Sequence, residues 1–163
     1  MRSPDPSLFI GSSTEGLPTA RALQAELDEE CEPIVWEQDF FVPTGTTIGT
    51  LAEKVQNFDF AAFVFTPDDS LIIRGSANAA ARDNVIFELG LFIGALGKGR
   101  VFIIRPRDQE LRLPSDLAGV TCLTYKSNRK DQNLRAAIGP AATAIRNRVV
   151  SLGVRRTVDR NAS

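Results

Sequence analysis

Residues 84–96 read NVIFELGLFIGAL, and Glu88 is the only ionisable side chain among them. Residues 85–96 are expected to form a helix that is apolar almost all round, and such a helix is normally buried. A lone buried carboxylate is expensive, so Glu88 must be paired, protonated or turned toward a cavity. Arg82, Asp83 and Asn84 lead into this helix. Asn84 is the expected N-cap. Arg82 either pairs with Glu88 or Asp83, or joins the exposed helix N–H groups to form an anion site. With the helix opening at Val85, Glu88 lies about one turn in, roughly 6 Å along the axis. Two roles then stand side by side: an acid facing a crevice, and a first-turn carboxylate complementing the helix dipole. A capping box does not fit, because its reciprocal acid would have to stand at Phe87.

Gly11-Ser12-Ser13 offers a second set of chemical groups. Small residues there let backbone approach a ligand, and the hydroxyls can bond to phosphate or ribose; a plain turn also explains them. Trp36, Asp39, Phe40 and Phe41 precede a loop rich in glycine and threonine. They suggest an aromatic wall and a lid over a nucleotide, with core packing for Trp36 and an interface for the phenylalanines as the structural counterpart. Other chemistries fail. Histidine is absent, which excludes a Ser-His-Asp or Cys-His catalytic set. Residues 94–99 (GALGKG) contain Gly-Lys but lack P-loop spacing, and no GxGxxG follows the first strand. Neither a cysteine cluster nor an acidic cage with metal-ligand spacing is present, so no metal is expected.

These residues need elements to position them. Short apolar runs at 7–11, 33–37, 60–65, 100–105 and 120–125 read as strands. Helical patterns fall between them at 17–30, 50–58 and 85–96, and a last one covers 134–150 with Gly139-Pro140 kinking it or marking its true start. Residues 66–84 read as a long irregular stretch. The alternation predicts an α/β fold: a flavodoxin-like, doubly wound, five-stranded parallel sheet in the order 2-1-3-4-5. Ligands in such sheets bind beyond the carboxyl ends of the strands, at the switch point between strands 1 and 3. Residues 11–14 and 66–84 therefore frame the expected site.

The 163 residues suit one domain, expected over 1–150, followed by a basic tail or linker over 151–163. Residues 1–125 carry 10 basic and 18 acidic groups; residues 126–163 carry 9 basic and 2 acidic groups. The basic groups are not interleaved with aromatics, which gives nucleic-acid binding little support. Two cysteines fit a reducing cytoplasm. No apolar run reaches membrane-spanning length, and no signal-peptide pattern opens the chain.

One carboxylate does not suffice for ordinary glycoside hydrolysis, which uses an acid together with a base or nucleophile. It suffices where the leaving group needs no proton. The nicotinamide of NAD⁺ leaves as a neutral base from a cationic pyridinium, and a carboxylate near the ribose hydroxyls would stabilise the oxocarbenium-like transition state. Here the sequence resembles a family. Residues 8–16 (LFIGSSTEG), Trp36 with the 39–49 loop, and residues 82–90 (RDNVIFELG) are similar to prokaryotic TIR-like domains. These are predicted nucleotide-binding domains of antiphage effectors such as TIR-STING and TIR-SAVED fusions. The resemblance covers about residues 7–150.

That resemblance implies the same flavodoxin-like fold and NAD⁺ hydrolysis to nicotinamide and ADP-ribose, with NAD⁺ as substrate and no further cofactor. It implies that Glu88 is the catalytic glutamate and that the 39–49 loop opens the site and joins subunits on self-association. It also implies a cyclic-oligonucleotide sensor, STING- or SAVED-like, fused beyond residue 152 or acting in trans. Ser12, Ser13, Arg82 and Asn84 are then expected to contact ribose or phosphate. Trp36, Asp39 and Phe40 are expected to line the substrate or the lid. The alternatives are a cyclase making cyclic ADP-ribose, a nucleoside 2-deoxyribosyltransferase-like enzyme, and a TIR scaffold or adaptor that only self-associates.

Overall fold

Apolar residues on both faces of a strand demand cover on both sides, and three of the five strands meet that description. In the computed structural model, β1 (Ser7–Ser12), β3 (Phe60–Val64) and β4 (Val101–Pro106) are almost wholly buried. They form the centre of a five-stranded sheet, with β2 (Glu32–Trp36) and β5 (Thr121–Tyr125) on its edges. All neighbours are parallel and the order is β2-β1-β3-β4-β5, as the sequence pattern predicts. The structure describes residues 4–36, 47–67, 77–111 and 113–155, with backbone alone for 47–50 and 77–84.

The strand period of two divides the core. Leu8, Ile10, Phe60, Ala62, Val64, Phe102 and Ile104 face α1 (Leu17–Leu27) and α4 (Leu134–Leu152). Phe9, Ala61, Phe63, Val101 and Ile103 face α2 (Thr47–Val55) and α3 (Ala77–Leu96). Each α-helix returns the chain toward the amino ends of the strands, so α3 runs antiparallel to β3 and β4. Its 20 residues make a rod of about 30 Å, whereas six strand residues span only about 20 Å. The first turns of α3 therefore stand beyond the carboxyl edge of the sheet.

Several expectations need correction. The stretch expected to be irregular up to Asn84 is helical from Ala77, because Ala77, Ala79, Ala80 and Ala81 are strong helix formers that extend the element upstream. Asn84 is therefore the eighth residue of α3 and cannot be its N-cap. Arg82 likewise sits inside the helix, where backbone N–H groups are already engaged, so the expected anion site at a helix start does not form there. α2 begins at Thr47, so the end of the expected 39–49 loop is its first turn. Pro140 neither ends nor starts α4; it lies on the exposed face, where water can satisfy the carbonyl it leaves unbonded. α4 begins instead at Leu134, capped by Asn133, whose side chain accepts from the Ala136 N–H. The helix runs to Leu152, so the expected tail boundary at 151 falls within an element. Among the described residues no helix is long and apolar enough to cross a membrane.

Candidate active site

Only one stripe of α3 can face the sheet. Val85, Glu88, Leu89, Phe92 and Leu96 form it, at the 3–4 spacing of a helix face. The opposite side is open, and Phe87 is 50 % exposed, so the helix is not buried all round as its composition suggested. Phe92 sets its height. The ring lies 4.4 Å from Phe9, 5.5 Å from Phe63 and 6.0 Å from Phe58, centroid to centroid. Glu88 is one turn above Phe92, about 6 Å toward the carboxyl edge. Two residues of strand cover the same rise, which sets Glu88 level with Gly11 near the end of β1.

Glu88 is buried to 8 % exposure, and no described residue makes a hydrogen bond or ion pair with it. Desolvation pushes its carboxyl from the ordinary 4.5 up to about 7. Its position argues against one of the two roles left open by the sequence. It is the twelfth residue of α3, and the dipole effect fades beyond the first turn. A dipole partner does not belong there. A carboxylate poised to change charge near neutral pH is what general-base or electrostatic catalysis requires.

Gly11 pairs with Trp36 on one side and Phe63 on the other. A Cβ on Gly11 would stand 2.9 Å from both Phe63 Cε1 and Phe9 Cε1. Gly11→Ala is expected to cost about 1–3 kcal/mol, because these rings are already packed by Phe92. A denaturant midpoint unchanged by the substitution would show that the rings can yield.

Ser12 ends β1 opposite Val64, and Ser13 precedes a short 3₁₀ turn at 14–16. Both are buried, and neither hydroxyl oxygen has a hydrogen-bond partner among the described residues. Gly16 lets that turn approach: a Cβ there would lie 3.0 Å from Ser12 Cβ. An unsatisfied buried hydroxyl costs about 1–3 kcal/mol, and two side by side offer bonding capacity to a polar ligand. Ser12 shares the α1 face with Val64, whereas Glu88 belongs to the α3 face. The groups thus flank the β1–β3 edge from opposite sides of the sheet.

Trp36 packs on Phe9 at 5.5 Å, and Lys54 Nζ lies 5.0 Å over its ring. These contacts were not legible in the sequence, and they make Trp36 part of the packed border between β2 and α2. Asp39 and Phe40 lie outside the described residues, as do the side chains of Arg82 and Asn84. The role of Phe92 as the ring that seats Glu88 was also missed; its i+4 spacing from Glu88 was the available signal.

Comparison with known proteins adds a second line of observation. A family model described as "CAP12/Pycsar effector protein, TIR domain" matches residues 7–127. The chain is 38 % identical over 147 residues to the Pycsar effector protein PaPycTIR of Pseudomonas aeruginosa, covering 90 % of this chain and 48 % of that protein. It is 39 % identical over 147 residues to BcPycTIR of Burkholderia cepacia, with the same two coverages. It is 41 % identical over 114 residues to CD-NTase-associated protein 12 of Flavobacterium daejeonense, covering 70 % of this chain and 36 % of that protein. The chain thus spans half or less of the length of these relatives.

Proposed function

Because the chain belongs to the TIR-domain family of CAP12 and Pycsar effector proteins, we propose that it is an NAD⁺ glycohydrolase acting in antiphage defence. The observation that carries this reading is Glu88: a buried carboxylate without a partner among the described residues, level with the carboxyl edge of the sheet, at the switch point. In the proposed reaction the bond from ribose C1′ to the pyridinium nitrogen breaks. Its electron pair stays on that nitrogen, and nicotinamide leaves neutral. Ionised Glu88 stabilises the positive charge that develops on the ribose. Water adds to C1′, giving ADP-ribose and a proton, and a carboxylate held near neutrality is suited to receive that proton. The open hydroxyls of Ser12 and Ser13 supply donors for ribose or phosphate across the β1–β3 edge.

The relatives' names and greater length support a further part of the reading: cleavage is controlled by a cyclic-nucleotide sensor, in trans or in the same polypeptide. Self-association through the region around 39–49 would complete the site.

The test is chromatography of NAD⁺ incubated with dilute and with concentrated protein. Nicotinamide release rising faster than protein concentration supports an assembly-dependent enzyme, and the co-product separates ADP-ribose from its cyclic form. No release under conditions where light scattering confirms assembly would count against the reading. Turnover is also expected to fall as pH drops through about 7, with the slope of one proton, because protonated Glu88 carries no charge. A flat profile between about pH 6 and about pH 8 would remove ionised Glu88 from the mechanism.

A further inference from the structure

The pole opposite the site is held by arginines. α4 stops at Leu152, where Gly153 (φ 61°) donates its N–H to the Val149 carbonyl and turns the chain back. Residues 152–155 then lie against the amino ends of the strands. Arg100 donates to the Gly153 carbonyl at 2.8 Å and to the Leu152 carbonyl at 3.4 Å. The Arg155 N–H donates to Asp59 Oδ1 at 2.6 Å, and the same carboxylate accepts from the Ser7 N–H at 2.9 Å.

The Arg155 guanidinium reaches further. Nη1 donates to the Ala95 carbonyl at 2.7 Å, and Nη2 donates to the Gln56 carbonyl at 2.9 Å and to Gln56 Oε1 at 3.2 Å. Ala95 is in the last turn of α3, whose final carbonyls have no partner within the helix. Gln56 directly follows Val55, the end of α2. One planar fork therefore closes the carboxyl ends of both helices, with its charge at the negative poles of both dipoles. α3 carries Glu88, and α2 follows residues 37–46. Helices are stiff along their axes, so whatever fixes their lower ends also fixes their relative height at the site.

We propose that Arg155 is a positioning residue: it holds α2 and α3 in register, and so couples the chain leaving α4 to the placement of Glu88. A displacement of residues 153–155 would act on the site through this fork. The catalytic part of the inference rests on the NADase reading; the mechanical part does not.

The experiment compares amide hydrogen exchange and NAD⁺ turnover in the full chain, wild type and three variants. Arg155→Ala removes the fork, and Arg155→Lys keeps the charge without it. Arg146→Ala is the control, because Arg146 pairs with Glu30 and donates to the Glu26 carbonyl on the α1–α4 side. Arg155→Ala is expected to speed exchange about tenfold or more in the last turns of α2 and α3, with Arg155→Lys intermediate. It is expected to lower kcat about fivefold or more with KM little changed, whereas Arg146→Ala leaves both within about twofold at a similar loss of thermal stability. Exchange changes confined to residues 152–155, or equal effects from the control, would overturn the proposal. If Arg155→Ala does not fold, Arg155→Lys decides by the same comparison. If wild type cleaves no NAD⁺, the functional reading fails and the exchange data still decide the coupling.

Discussion

Glu88→Gln is expected to reduce NAD⁺ cleavage by about a hundredfold or more while making the fold less sensitive to alkaline conditions. The two effects have one cause. Desolvation raises the carboxyl from 4.5 to about 7 in the folded chain, so between these values the native state holds a proton that the unfolded state has released. Stability therefore falls as pH rises across that window and levels off above it. At 1.36 kcal/mol per unit, the wild type loses about 3 kcal/mol between pH 4.5 and pH 8, and the glutamine variant does not. Urea melts of both proteins across that range measure the widening gap, whatever the baseline cost of the buried amide. A constant gap would mean that Glu88 finds a partner or water in solution, and the case for a poised acid would weaken with it. Retained cleavage in the variant would leave the scaffold reading in place.

Phe92→Ala is expected to cost about 3–5 kcal/mol, the largest stability effect of any substitution considered. Phe92 is fully buried, and its ring meets Phe9, Phe58 and Phe63, which belong to or flank β1 and β3. Removing it opens a cavity one turn below Glu88, with only partial collapse of the surrounding rings. Phe92→Leu refills most of the volume and is expected to cost less than half as much, or about 1–2 kcal/mol. Thermal and urea denaturation measure both losses. The activity of Phe92→Leu then reports on the site: turnover reduced well below the folded fraction would show that the ring sets the height of the carboxylate. Activity tracking the folded fraction alone would confine Phe92 to a packing role.

The architecture was legible because both of its signals are local. Apolar runs such as FAAFV at β3, alternating with helical periods, admit few arrangements other than a parallel sheet covered on both faces. Glu88 was legible for a related reason: a single charge in a long apolar segment demands an account wherever that segment is buried. The start of α3 was misplaced because the polar triplet 82–84 resembles a helix start, while the alanines before it already favour helix. That error moved Glu88 from the fourth turn to the first and kept the dipole reading alive.

By itself, then, the sequence determined the sheet and its strand order, and it singled out Glu88 as the candidate for chemistry. The tertiary structure alone decided which side of α3 faces inward. Apolar residues lie all round that helix, so its own periodicity cannot choose, and the docking of Phe92 among three rings of the sheet side does. It alone decided the partners of Arg155 as well. Those partners lie 60 and 99 residues away in the chain, and no local propensity links groups that meet only when the sheet closes.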